Sequence, residues 1–162
     1  MKTILLILLG GLFSSSACLA QNKPLEIFNQ FTGKSWEGHY VDSEDSLLIH
    51  ELKWEFILNS KGVKETKSVP EVGFEMETYF YYDWEKNQIS FLSLVNKEMN
   101  SNGKVEAEGS KVILEGKTFY NGGSSEFKKT FEVNEDGKLI DEFYRKKGDG
   151  WIRGHLIEYF QN

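Results

Sequence analysis

The sequence predicts an all-β fold, a single antiparallel up-and-down meander barrel of about nine or ten strands with a short N-terminal capping helix. First, apolar and polar residues alternate with a period of two over segments of about ten residues, as in half-buried strands. Second, Gly, Asn and Asp recur between these segments and suit hairpin turns. Third, Pro24 and Pro70 are the only prolines in the sequence. So many twisted strands, each paired with its neighbour, close into a barrel or split into two sheets.

Residues 1–20 precede the predicted barrel and read as a secretory signal peptide. Lys2 is followed by an apolar run over residues 4–13 and then by small residues up to Ala20, the order typical of a signal and its cleavage site. The run is shorter than the roughly 20 residues of a membrane-spanning helix. We therefore expect cleavage after Ala20 and an exported barrel domain over residues 21–162, periplasmic or secreted. The alternative is a lipid anchor at Cys18.

Charge and cysteine content narrow the partners further. The net charge is −6, which disfavours binding to nucleic acid or to an anionic membrane surface. No segment after the signal is predicted to cross a membrane. Cys18 is the only cysteine, so the domain has no disulfide and depends on its hydrophobic core.

The segment after the signal predicts the closed end of the barrel. In "PLEIFNQF", Leu25, Phe28 and Phe31 share one side of a short helix, and Gly33 follows where a helix would end. The first strand then places Trp36 and Tyr40 inward, with Gly38 between them. We expect Trp36 to plug the barrel floor and Gly38 to let the strand bend and approach its neighbour closely.

The later strands present clear inward faces. In "SLLIHELKWEFIL" one face carries His50, Trp54 and Phe56, and in "GFEMETYFYY" one face carries Phe80 and Tyr82. The next segment, "ISFLSLV", contributes Phe91. We also predict a tight hairpin at the dipeptide 102–103, because Asn-Gly suits such turns.

The spacing of Gly33 and Trp36 and the motif Trp36-Glu37-Gly38, after a short apolar helix, resemble the start of lipocalin-like (calycin) barrels. The Trp-x-Gly motif is similar to haem-binding nitrobindin-type barrels and to secreted bacterial lipocalin-like domains. The chain has Gly-x-x-Trp where lipocalins usually have Gly-x-Trp. The resemblance implies a ligand cavity, an Arg from a late strand over the floor Trp, for which Arg153 is the candidate, and in haem-binding members a late His, matched by His155.

The predicted ligand-binding side chains are the polar and aromatic residues assigned to the barrel interior: His50, Trp54, Phe56, Phe80, Tyr82, Phe91 and His155. Trp36, Gly38 and Arg153 are predicted to build the floor. His50 is either a neutral core His with a protein partner or a polar contact for a ligand. No catalytic or metal-binding motif is recognised in the sequence, and no cofactor is expected, with haem at His155 as the alternative.

Three functions remain open. The favoured one is an exported module that binds a small apolar or amphipathic molecule in an aromatic barrel. The second is an enzyme in which His50 or Glu142 moves a proton. The third is a structural or inhibitory envelope protein whose barrel is solidly filled. The sequence leaves the ligand and the oligomeric state undefined.

Overall fold

The structure, a computed structural model, describes residues 24–41, 43 and 47–162, and this part of the chain forms the predicted antiparallel up-and-down barrel. The predicted signal peptide, Cys18 and the cleavage site lie outside the described residues. Ten strands follow one another in the order β1 (Ser35–Tyr40), β2 (His50–Ile57), β3 (Gly62–Val69), β4 (Phe74–Asp83), β5 (Gln88–Val95), β6 (Met99–Glu108), β7 (Lys111–Tyr120), β8 (Gly123–Val133), β9 (Leu139–Lys147) and β10 (Gly150–Gln161). Short 3-10 helices span Pro24–Phe28 and Pro70–Val72.

The barrel is closed by the pairing of its first and last strands. Each strand pairs antiparallel with its sequence neighbours, and β1 pairs with β10, where Trp36 lies opposite Gln161 and Tyr40 opposite Ile157. Closure gives every strand two partners and so removes the exposed edges that promote aggregation. No helix in the described ranges is long and apolar enough to span a bilayer.

Two strands, β3 and β6, were not identified in the sequence. Both are rich in polar residues, so the alternation that marks their neighbours is weak. The predicted hairpin at Asn102–Gly103 is wrong, because this pair lies within β6 and the β5–β6 turn comes earlier. Gly103 instead faces Gly116 of β7, where an added Cβ would collide with the Glu115 carbonyl. The glycine serves close strand approach rather than a turn.

The N-terminal segment closes one end of the barrel as predicted. Leu25, Phe28 and Phe31 are buried, and the Gly33 backbone, at φ +73°, donates a hydrogen bond to the Trp54 carbonyl. These rings join side chains from the strands in what we call the aromatic plug: Phe28, Phe31, Trp54, Phe80, Phe91 and Phe131, with centroids of neighbouring rings 4.7–6.3 Å apart. The plug seals the floor, so a cavity can open only towards the opposite end.

The floor residues Trp36 and Gly38 lie where the sequence placed them. Trp36 is buried and its indole N–H donates to the Phe31 carbonyl. A Cβ on Gly38 would lie 2.5 Å from the Glu158 carbonyl oxygen and 2.6 Å from the Tyr159 ring. Any larger residue there would push β1 away from β10, so the two strands approach each other closely at this position.

Candidate ligand cavity

A cavity of about 420 Å³ occupies the half of the barrel above the aromatic plug. Most of its wall is apolar, with side chains from several strands: Val69, Phe74, Met76, Val95, Leu114 and Phe127. Small-molecule sites are typically clefts of roughly 300–1,000 Å³ with mostly apolar walls and a few polar groups. The cavity therefore has the size and lining of a small-molecule site.

Small inward side chains on β4 to β7 create this space. Thr78 and Ser93 share a hydrogen bond of 2.9 Å, and Ser101 and Thr118 share another of 2.9 Å. All four line the cavity. Pairing satisfies their hydroxyl groups across adjacent strands. These small side chains therefore leave space inside the barrel without buried unpaired hydroxyl groups.

Charged side chains lie at the inner end of the cavity in what we call the ionic layer, formed by Glu65, Lys67, Lys129 and Asp141. Both ammonium groups meet the same oxygen: Lys67 Nζ lies 3.3 Å and Lys129 Nζ 3.2 Å from Asp141 Oδ2. Lys129 Nζ is also 3.6 Å from Glu65 Oε1. All four residues are buried, with Asp141 at 0% and Glu65 at 1% exposure. Such charges are tolerated inside a protein only when paired.

The lysines keep Asp141 ionised. Burial alone would raise the pKa of this carboxyl group, but the charges of Lys129 and Lys67 outweigh burial and hold the pKa below its ordinary value. The two carboxylates and two ammonium groups of the ionic layer balance. Glu65, Lys67 and Lys129 line the cavity, whereas Asp141 lies behind them and pairs with both lysines.

The two histidines that line the cavity are neutral. Burial, reinforced by Lys67, lowers the pKa of His50 to about 3. Burial likewise lowers the pKa of His155 to about 4, although Asp141 opposes this shift. Tyr40 contacts both rings edge-on, at centroid distances of 4.5 and 5.5 Å. Neither histidine is charged near neutral pH.

Several buried polar atoms around the ionic layer have no hydrogen-bond partner among the described residues. They include both ring nitrogens of His50, Nε2 of His155, Oδ1 of Asp141 and the hydroxyl of Tyr159. Burial also raises the pKa of Tyr159 well above its usual value, so the phenol keeps its proton. Unsatisfied buried groups are costly, so each of these atoms needs a partner such as an ordered water or a ligand group.

Only two of the seven predicted ligand-binding residues, His50 and His155, line the cavity. Trp54, Phe80 and Phe91 belong to the aromatic plug. Phe56 packs against the same core. Tyr82 lies beside the β4–β5 turn, where its hydroxyl donates to Asn87. All five lie in the floor half of the barrel rather than around the cavity.

The predicted contact between Arg153 and Trp36 is wrong. Trp36 lies opposite Gln161 on β10. Arg153 precedes Gln161 by eight residues on the same strand, a distance of roughly 25 Å at about 3.3 Å per residue, and lies opposite Tyr144 of β9. The cation over the Trp36 ring is Lys34, at 5.4 Å. Arg153 instead lies 3.8 Å from Glu142.

Glu142, a candidate for proton transfer, is not a buried acid. It lies on the outer face of β9, where it accepts a hydrogen bond from Tyr144, and its side chain is 24% exposed. The buried acid is its neighbour, Asp141. Leu139 is buried, and the residues that alternate with it, 141, 143 and 145, share its inward face. Asp141 is therefore on the inward face of β9, and Glu142 is on the outward face.

Sequence reasoning missed all four residues of the ionic layer, although a signal was present. Lys129 falls between Phe127 and Phe131 on an apolar face, and Asp141 falls between Leu139 and Phe143. Glu65 and Lys67 lie between two valines of β3. A charged residue inside a period-two apolar face, repeated in β8 and β9, predicts a buried ionic cluster.

His155 Nε2 is the atom that a haem iron would bind in the alternative function. This nitrogen is buried, and the imidazole stacks on Phe143 with an interplanar angle of 11°. Among the described residues there is no group of three or more His, Cys, Asp or Glu placed to hold a metal ion.

No protein-family model matches the chain, and a search of curated proteins finds no match.

Proposed function

We propose that the protein is an exported, lipocalin-like barrel that binds a small apolar or amphipathic molecule in its cavity. The observation that carries the proposal is the cavity of about 420 Å³, with apolar walls and the ionic layer at its inner end. The signal-like sequence of residues 1–20 supports export. The ten-strand barrel is compatible with the lipocalin-like resemblance.

Binding accounts for the geometry better than the two alternative functions. A solidly filled barrel would leave no space, whereas the small residues of β4 to β7 create a cavity. Proton transfer by Glu142 is disfavoured by its position on the outer face. His50 makes no hydrogen bond within the described part of the chain that would orient it as a base.

A neutral fluorescent probe tests this proposal. N-phenyl-1-naphthylamine should bind the wild-type protein with an increase in emission. Ser101→Trp places a large ring in the cavity and should weaken binding at least about tenfold, because the probe loses its space. Asn102→Trp is the matched control, since residue 102 is the next residue of β6 and its side chain is exposed. This control should bind the probe as the wild type does.

Equal probe binding by all three proteins would mean that the probe binds elsewhere and would remove the support for a cavity site. A circular-dichroism melt of each variant shows whether it has folded.

A further inference from the structure

The charged groups around the cavity do not balance. Three cations line it, Lys67, Lys129 and Arg145, against one carboxylate, Glu65. Asp141 adds one negative charge beneath the wall, and both histidines are neutral near pH 7. Among the described groups that face the cavity, the net charge is therefore +1.

The excess cation is at the mouth of the cavity. Arg145 is exposed on β9 and lies across from Phe127 of β8. Its guanidinium is 6.0 Å from the Phe143 ring, and it makes no ion pair within the described ranges. A guanidinium in this position offers several hydrogen-bond donors to a carboxylate or another oxyanion.

Donors are also available at the inner end. Each ammonium group has three N–H donors. Lys67 uses one on Asp141, and Lys129 approaches Asp141 and Glu65, so donors remain on both groups. The apolar walls separate this end from Arg145, so an anionic group at either end of a ligand would find a cation.

We infer that the cavity selects molecules with an apolar body and a single anionic group over neutral molecules of the same shape. One negative charge neutralises the site, whereas a cationic group adds to its excess charge. This inference rests on the proposed function and specifies the ligand class of the same cavity. The ligand is identified by its chemistry, an amphipathic monoanion such as a long-chain carboxylate.

The test compares ligands that differ only in head group. Dodecanoate, dodecan-1-ol and dodecylamine displace N-phenyl-1-naphthylamine from the full mature protein at pH 7 and low salt. Dodecanoate should displace the probe at a concentration about tenfold lower than dodecan-1-ol, since a charge-assisted hydrogen bond is about twice as strong as a neutral one. Dodecylamine should be the weakest.

Two variants change the charge in opposite directions. Arg145→Met should narrow the acid-over-alcohol ratio to about threefold or less, because it removes the unpaired cation. Glu65→Gln keeps the side-chain shape, removes a carboxylate and should widen the ratio. Lys147→Met is the matched control for Arg145→Met, because it removes an exposed cation two residues along β9 that does not line the cavity. It should leave the ratio unchanged.

The outcomes separate the inference from the proposed function. Equal displacement by all three ligands, with probe binding intact, would overturn the charge preference and leave the binding function standing. An unchanged ratio in both Arg145→Met and Glu65→Gln would also overturn the preference. Absence of binding by the probe and all three ligands would overturn both.

Discussion

At the scale of single residues, Asp141 organises the interior. Its Oδ2 forms ion pairs with the ammonium groups of both buried lysines, and its side chain is fully buried. Removing one partner from a buried ion pair costs about 3–5 kcal/mol, because the other charge is left uncompensated. Asp141 therefore determines whether the two ammonium groups can remain at the inner end of the cavity.

We expect Asp141→Asn to lower the free energy of unfolding by about 3–5 kcal/mol, measured by urea denaturation at pH 7. The control is Glu142→Gln, which removes the same charge from the next residue of β9 on the outer face. It should cost less than about 1 kcal/mol, as surface pairs do. Similar losses in both variants would contradict the proposed role of the ionic layer.

The sequence predicted which side chains point inward, but not which of them line the cavity. The inward directions of His50, Trp54 and Phe80 follow from strand alternation, which depends only on the pleat. Their distribution between plug and cavity does not, because that depends on which end of the barrel the N-terminal segment covers. The partners of Lys129 and Asp141 could not be predicted, because Glu65 and Lys67 of β3 reach them across the barrel interior, which no local pattern reports.

At the scale of elements, the contact between β1 and β10 closes the barrel and depends on Gly38. The backbone carbonyl of Glu158 cannot move without disturbing the ladder between the two strands. The six residues of β1 make it the shortest strand, so it has few hydrogen bonds to compensate for a local separation.

Gly38→Ala should therefore lower the free energy of unfolding by about 1–3 kcal/mol, the usual range for overpacking. Gly150→Ala provides the control, since its added Cβ would meet only the Lys147 carbonyl oxygen at 3.9 Å. Paired thermal melts measure the difference. A Gly38→Ala protein as stable as Gly150→Ala would show that β1 tolerates displacement.

Elements with strong alternation were predictable, and polar ones were not. Strands β2 and β4 have one clearly apolar face. Strand β3 carries Glu65 and Lys67 inward, so its inward face reads as polar, and β6 combines Asn102 with Gly103, which imitates a hairpin turn. The bulge between Arg153 and His155 shifts the register of β10, which explains why neither of its faces looked apolar in sequence.

At the scale of the whole molecule, the buried neutral histidines make stability depend on pH. Unfolded histidine has a pKa of about 6.5, whereas the pKa is about 3 for His50 and about 4 for His155 in the folded chain. Between pH 6.5 and 4 the unfolded chain binds more protons than the folded one. The free energy of unfolding therefore falls as the pH falls through this window.

We expect each histidine to contribute a loss of about 2 kcal/mol between pH 6.5 and 5, from 1.36 kcal/mol per pKa unit. The low pKa of Asp141 adds a further loss only below about pH 3.9, its unfolded value. Urea denaturation from pH 7.5 to 5 measures the slope. The double variant His50→Gln, His155→Gln should flatten it, and His39→Gln, on the outer surface, should not. A slope unaffected by the double variant would contradict neutral burial.

The central claim is that the barrel holds a small molecule above its ionic layer. Native mass spectrometry of the protein purified from its own host tests this claim most directly. We expect a bound small molecule on the wild-type protein that dissociates on denaturation, is absent from Ser101→Trp and is retained by Asn102→Trp. A retained haem would support the alternative function, with His155 as the expected ligand. A wild-type protein with no bound molecule, and with no uptake of added amphipathic ligand, would contradict the claim.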